Sequence, residues 1–274
     1  MQQTLAAFLI LFFSCGSGRY ETKHLLTKHT RTYSQNVKDS FDIYITLPKG
    51  YEQSATSYPV IYYLDAKLKS GNAMRKILDE KAAEGNPINA IVVGIGHIGN
   101  YRVLRRRDFV TSFLKSNDSL ISNDENYGHA EKFYQFLQTE LIPFIETNYR
   151  VSQQRSLFGH SFGGLFAFYS LFKKERLFEN YIALSPSLWV NYNNIYVFEK
   201  MYRNDSAVLH AQVYMRAGSR ETINKVLPAC RKMNEFLNKH PYSQLQLDYK
   251  ELDGEDHNSH VYNSLQEILG KVYQ

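Results

Sequence analysis

The chain has few cysteines, little excess charge of one sign and no apolar run long enough for a membrane span at its start, and each shortage excludes something. Only Cys15 and Cys230 are present among 274 residues, so no framework of internal disulfides can hold the fold together. The formal net charge of +5 is modest and spread along the chain, which gives little ground for a nucleic-acid partner and mildly favours acidic substrates or surfaces. Leu5 to Phe13 (LAAFLILFF) is uninterrupted but too short to cross a bilayer as a helix. There is no internal repeat and no low-complexity tract, which argues against a solenoid or a disordered chain. What remains is 43% hydrophobic and 14% aromatic, enough to bury one large core in a single domain.

The apolar run at the start reads as the core of a signal peptide. Ser14-Cys15-Gly16 follows it directly and resembles a bacterial lipoprotein processing site, with Cys15 as the lipidated first residue of the mature chain. Met1 to Thr4 carries no Lys or Arg, which also fits a plain secretory signal or an uncharged anchor. The expected organisation is a signal over residues 1–18, a polar tether over 19–28 and one domain over 29–274. The expected location is outside the cytoplasm, periplasmic or anchored at the outer membrane. Cys230 shares an apolar helical face with Ile223, Leu227, Met233 and Leu237, which makes it a core residue rather than a reactive one.

Within the domain, residues 29–37 and 40–47 read as an antiparallel pair of opening strands. Tyr58 to Leu64 (YPVIYYL) and Ile91 to Ile95 (IVVGI) are continuous apolar runs, as strands need when both sheet faces are covered. A helix is expected between them over 71–84, and this βαβ alternation implies a mostly parallel sheet with helices on both faces. Gly96 to Tyr127 reads as a long loop holding Arg102, Arg105, Arg106, Arg107 and Asp108. Those arginines suit either an anionic substrate or an internally paired charge cluster. An amphipathic helix over 130–147, ended or bent by Pro143, precedes the next strand. Further strands follow at 181–184, 208–215 and 245–252, with helices near 193–203, 222–239 and 260–272.

One stretch organises the rest, Arg155 to Phe172 (RSLFGHSFGGLFAFYSLF). A strand-like run enters Gly159-His160-Ser161-Phe162-Gly163 and a helical run leaves it, the setting of a nucleophile elbow that presents the Ser161 hydroxyl to a cleft. Gly159 and Gly163 supply the missing side chains such a turn needs, and Gly164 lets the helix lie close to the sheet or another backbone. A serine hydroxyl needs a neutral imidazole to take its proton, and the imidazole needs a carboxylate to hold its tautomer. In α/β hydrolases the acid and then the histidine follow the serine. Of His210, His240, His257 and His260, only His257 falls on the loop directly after the last strand, with His260 the fallback. Glu221, just past the strand at 208–215, is the expected acid, ahead of Asp205 and Asp256. It could instead be a charge at a helix start. The backbone amides of Phe162 and Ala66 are the expected oxyanion donors. Trp189 and Tyr192 could wall a pocket or pack in the core.

The segments YPVIYYLDA, RRRDF, FLQTELIPFIETNYR, GHSFGGLFAFYSLF, ALSPSLWVN and LDGEDHNS together resemble the putative-esterase family of α/β hydrolases. That group includes ferric-siderophore esterases of the enterobactin type and, more distantly, S-formylglutathione hydrolases and feruloyl and acetyl-xylan esterases. The resemblance covers nearly everything after residue 39. It implies an α/β-hydrolase three-layer sandwich, with Ser161 as nucleophile, His257 as base and Glu221 as acid. Asn258 stands where the family has a glycine. The implied activity is hydrolysis of carboxylic esters through an acyl-enzyme, with no metal or other cofactor. The substrates it suggests are a siderophore ester, whose negative charge would suit Arg106 and Arg107, or an acyl or feruloyl ester of a glycan. Acyl transfer on the same three residues, or a surface binding lipoprotein on a hydrolase scaffold, are the competing readings.

Overall fold

A computed structural model describes residues 19–21, 25–111, 126–222 and 225–273. The opening strands β1 (Arg19–Glu21), β2 (Leu26–Ser34) and β3 (Asp39–Thr46) pair antiparallel in sequence order. Residues 19–21 and 26–28 are thus strand rather than tether, because their backbones find ladder partners. The signal, Cys15 and residues 112–125 of the expected arginine loop lie outside the described residues.

After β4 (Tyr58–Leu64) come α1 (Lys69–Ala83) and β5 (Ile91–His97). Next is α2 (Tyr101–Phe109), a helix where the sequence suggested loop. Its start is fixed by the Asn100 side chain, which accepts a hydrogen bond from the Arg102 amide at 3.2 Å. α3 (Ala130–Phe136) runs through a π-helical turn (Leu137–Leu141) into α4 (Ile142–Asn148), so the amphipathic helix of the sequence reading is continuous. Pro143 lies at the start of α4, where the wider turn before it absorbs the amide that proline lacks.

The second half contains β6 (Val151–His160), α5 (Phe162–Leu171), β7 (Asn180–Leu184), a short α6 (Val190–Asn193), α7 (Ile195–Asp205) and β8 (Val208–Gly218). It ends with α8 (Val226–Lys239), β9 (Ser243–Leu252) and α9 (Val261–Tyr273). The strands form one sheet in the order β1-β2-β3-β5-β4-β6-β7-β8-β9, parallel from β5 to β9.

The continuous apolar sequence of β4 follows from burial on both faces. Val60, Tyr62 and Leu64 point into one core with Phe133, Phe166 and Met233, while Ile61 and Tyr63 point into another with Met74, Ile77, Leu265 and Ile268. Helices α1 and α9 cover this second face, and each fully buried aromatic or aliphatic side chain contributes about 1.5–3 kcal/mol. The molecule is a three-layer α/β sandwich. Because β4 to β9 all run the same way, their carboxyl ends meet along one rim, and the loops leaving that rim carry the candidate site.

Candidate active site

Ser161 sits at the junction of β6 and α5 with φ 60° and ψ −114°, a strained backbone for a residue with a side chain. The turn is possible because Gly159 faces the helix: a Cβ there would lie 2.1 Å from the Gly163 carbonyl oxygen. Gly164 allows the close approach expected of it, since a Cβ would meet Pro186 Cα at 3.0 Å. Gly163 has ordinary room, with its nearest neighbours at 3.5 Å, so the second glycine of the motif is not held by space.

Glu221 and His257 meet although 36 residues separate them, with His257 Nδ1 donating to Glu221 Oε2 at 2.5 Å. Nε2, the other ring nitrogen, is thereby left as the acceptor. The Glu221 carboxylate lies in a turn after β8, where Oε1 accepts from the Gly218 amide at 2.7 Å and from Ser185 Oγ at 2.6 Å. Burial works to raise this carboxyl, but the hydrogen bonds from His257, Ser185 and Gly218, with the His260 ring nitrogen 3.6 Å away, outweigh it and hold the group well below the usual carboxylate range. It is therefore an anion at any working pH.

His257 is also tied to the elbow. The His160 ring lies 4.6 Å from the His257 ring, and His160 Nε2 donates to the His257 carbonyl oxygen at 2.6 Å. The residue before Ser161 thus anchors the histidine loop. Burial, and then the neighbouring His257, push the His160 imidazole down to about 3, so it is neutral. The Ser161 hydroxyl itself rests on Ser187 Oγ at 3.3 Å, and the Ser187 amide donates to the Ser161 carbonyl oxygen at 3.0 Å.

Other histidines and acids are placed elsewhere. His260 is fully buried and bonded to Ser185 Oγ at 2.7 Å. His210 lies within β8, and His240 caps the end of α8. Asp205 ends α7, and Asp256 accepts from the Asn258 and Ser259 amides within its own turn.

Three sequence expectations change. The Ala66 amide donates to the Ile95 carbonyl at 3.0 Å, continuing the ladder, so it is not free to bind an oxyanion. Among the described residues, the amides of Lys67 and of Phe162 at the start of α5 have no backbone acceptor. Arg107 does not face the site: Asp108 and Asp39 hold its guanidinium at 2.7 and 2.8 Å. Arg105 is likewise spent on Asp65. For these two, the internally paired cluster was the right reading.

Arg106 and Trp189, by contrast, share a cavity of about 540 Å³ with Phe162, Tyr127, Tyr192 and Lys225. The Arg106 guanidinium lies 5.2 Å from the centre of the Tyr127 ring. Tyr127 and Lys225 were not singled out in the sequence. They reach the site from separate loops and carry no local motif.

Known proteins of similar sequence and fold identify the family. Ferri-bacillibactin esterase BesA of Bacillus subtilis is 33% identical over 175 residues, 61% of this chain and 60% of that protein. Siderophore triacetylfusarinine C esterase of Aspergillus fumigatus is 30% identical over 188 residues, 66% of this chain and 63% of the relative. The chain therefore matches somewhat under two thirds of these relatives' length. Among solved structures, an IroE-like serine hydrolase from Shewanella oneidensis superposes with a TM-score of 0.77 at 26% identity, covering 90% of this chain and 80% of that one. The BES protein of Bacillus cereus gives 0.74 at 28% identity, covering 94% and 98%. The family described as "Putative esterase" matches residues 34–267, a span that includes the elbow, the Glu221 turn and the His257 loop, and the chain belongs to that family.

Proposed function

We propose that this protein is a serine esterase that cleaves small-molecule carboxylic esters of the siderophore type through an acyl-enzyme. The observation that carries the reading is the Glu221–His257 hydrogen bond of 2.5 Å at the sheet rim, beside an elbow that presents Ser161. With Nδ1 committed to Glu221, His257 Nε2 is the base. When an ester occupies the site, the Ser161 hydroxyl turns from Ser187 and gives its proton to Nε2 as Oγ attacks the carbonyl carbon. The oxyanion is received by the Phe162 and Lys67 amides, a contribution of about 3–4 kcal/mol for a single donor. Collapse breaks the carbon–oxygen bond, and the leaving alkoxide takes the proton from His257. Water then attacks the acyl-enzyme by the same route in reverse, releasing the carboxylic acid and free serine.

The cavity beside Phe162 favours a siderophore-type ester over a neutral one. Tyr127, Trp189 and Tyr192 offer aromatic walls, and Arg106 and Lys225 offer positive charge, which suits an acyl group that is both aromatic and anionic. The relatives are named ferri-bacillibactin esterase, siderophore triacetylfusarinine C esterase and, in Escherichia coli, apo-salmochelin esterase, which supports an ester of the siderophore class. Export and lipid attachment at Cys15 belong to the same proposal, and metabolic palmitate labelling that Cys15→Ser abolishes would test them. For the chemistry, the test is turnover of a catecholate ester and of p-nitrophenyl butyrate by wild type and Ser161→Ala. A fall of at least about 1,000-fold on both is expected. Equal rates would sink the serine mechanism.

A further inference from the structure

Behind the Glu221–His257 pair lies a second, fully enclosed imidazole that the chemistry above does not use. His260 has no exposed surface, and Ser185 beside it has none. His260 Nε2 lies 2.7 Å from Ser185 Oγ, and Ser185 Oγ lies 2.6 Å from Glu221 Oε1. His260 Nδ1 is 3.1 Å from Ser264 Oγ, one turn further along at the start of α9.

Counting protons fixes the direction of this chain. The Glu221 carboxylate can only accept, so the single hydroxyl proton of Ser185 goes to Oε1. The Ser185 oxygen must then accept, and His260 Nε2 must carry a hydrogen to donate to it. In a neutral ring Nδ1 is left as an acceptor, and the Ser264 hydroxyl can fill it. Every buried polar atom of the chain is satisfied in one arrangement, and each bond points towards Glu221.

A second observation supports a purpose for this arrangement. Ser185, at the end of β7, has φ 44°, a left-handed backbone that is unfavourable for a residue with a side chain. Its amide donates to the Arg216 carbonyl at 2.7 Å, which locks that conformation. The strained backbone turns the Ser185 hydroxyl towards the carboxylate. With Ser185 and Gly218 holding Oε1, only Oε2 is left to face His257.

We infer that Ser185 and His260 are positioning residues that aim the Glu221 carboxylate at His257, acting through Glu221 and never touching substrate. This rests on the serine-esterase reading for its kinetic consequence but not for its geometry. It also assigns His260 a role different from that of a spare base, because its Nε2 is committed to Ser185 and stands 3.6 Å from Glu221 Oε1, the oxygen that His257 does not use.

The groups facing this chain are Glu221 and His257 on one side and His160 at the end of β6. Cys230 of α8 and Asp256 of the histidine loop also feel the Glu221 charge. Removing the Ser185 donor from Oε1, or the His260 donor that polarises the Ser185 hydroxyl, leaves the carboxylate more basic towards His257 and strengthens its hold on the imidazolium. The acid limb of kcat/KM should therefore move to higher pH in His260→Leu and Ser185→Ala.

The decisive experiment measures kcat, KM, pH profile and thermal stability for His260→Leu, His260→Gln and Ser185→Ala, each also made in a Glu221→Gln background. His260→Leu and Ser185→Ala should lower kcat about 10- to 100-fold with KM within about two-fold. His260→Gln, whose amide can still donate to Ser185, should recover most of the rate. In the Glu221→Gln background each substitution should cost less than about two-fold further. Equal fold losses in both backgrounds, or a lowered melting temperature with unchanged kcat and pH profile, would overturn the inference and leave a packing role. The proton NMR signal of His257 Nδ1–H supplies a readout independent of turnover. It should shift in His260→Leu and return in His260→Gln even if no ester proves to be a substrate. An unmoved signal in His260→Leu would refute the positioning role by itself.

Discussion

Arg105 reaches from α2 to grip Asp65 with two parallel hydrogen bonds, Nε to Oδ1 at 2.6 Å and a terminal nitrogen to Oδ2 at 2.8 Å. The same terminal nitrogen donates to the His160 carbonyl oxygen at 3.1 Å. One guanidinium therefore joins the turn after β4, which precedes the Lys67 amide, to the last residue before Ser161. Asp65 has φ 59° and is almost completely buried, so this turn is strained and depends on its partner.

Replacing Arg105 should therefore damage both stability and rate. Arg105→Ala leaves the Asp65 carboxylate buried without its partner, a loss of about 3–5 kcal/mol in urea unfolding. Arg105→Lys keeps the charge but not the fork, and is expected to fold with a smaller loss while kcat drops at least about ten-fold. A lysine variant with wild-type kcat would show that the clamp does not position the turn.

The two glycines of the elbow should respond differently. Gly159→Ala forces a Cβ to within 2.1 Å of the Gly163 carbonyl oxygen, so α5 must shift and both folding and activity should suffer. Gly163→Ala meets nothing nearer than 3.5 Å, and helix propensity favours alanine. It should retain stability within about 1 kcal/mol. Comparing the two variants by thermal unfolding and ester turnover checks this, and equal damage would contradict the steric account.

His160 predicts a pH dependence of stability with a definite sign. Its folded-state value of about 3 lies below the ordinary 6.5, so the unfolded chain takes up the proton first as pH falls. Stability should be at its full value above about pH 6.5 and decline continuously below it, by at most about 5 kcal/mol on reaching pH 3. Glu221, whose carboxyl is held low, adds a loss of the same sign only below its ordinary value of 4.5. Between pH 6.5 and 5 the Glu221 carboxylate contributes nothing, and the difference between wild type and a His160 variant reads that imidazole. Urea unfolding across this window should show a steeper slope for wild type than for His160→Gln, and identical slopes would refute the assignment.

Charge in the cavity beside Phe162 should act on binding rather than chemistry. Arg106→Ala is expected to raise KM for an anionic aromatic ester about ten-fold while leaving kcat nearly unchanged. Turnover of neutral p-nitrophenyl butyrate should be unaffected. Loss of kcat on both substrates would place Arg106 in the support of the site instead.

The linear chain already determined a good deal. The strand-turn-helix pattern around Ser161, the buried runs of β4 and β5, and the amphipathic helices are local, because burial on one or both sides of an element imposes its own period on the residues. The rim position of His257 and Glu221 followed from the strand each one succeeds. Cys230 was legible as a core residue for the same reason, and it is fully buried.

Tertiary structure alone decided what depends on partners distant in sequence. Helix α2 was missed because its arginines gave no apolar stripe. Their roles were settled by Asp65, Asp108 and Asp39, carboxylates brought up from other elements. The Ala66 amide was lost to the oxyanion because Ile95, on the neighbouring strand, claimed it. His260 could be told from a second base only when Ser185 was found between it and Glu221. A hydrogen bond has one donor and a short reach, so which groups are spent and which remain free is a property of the folded arrangement rather than of any segment read alone.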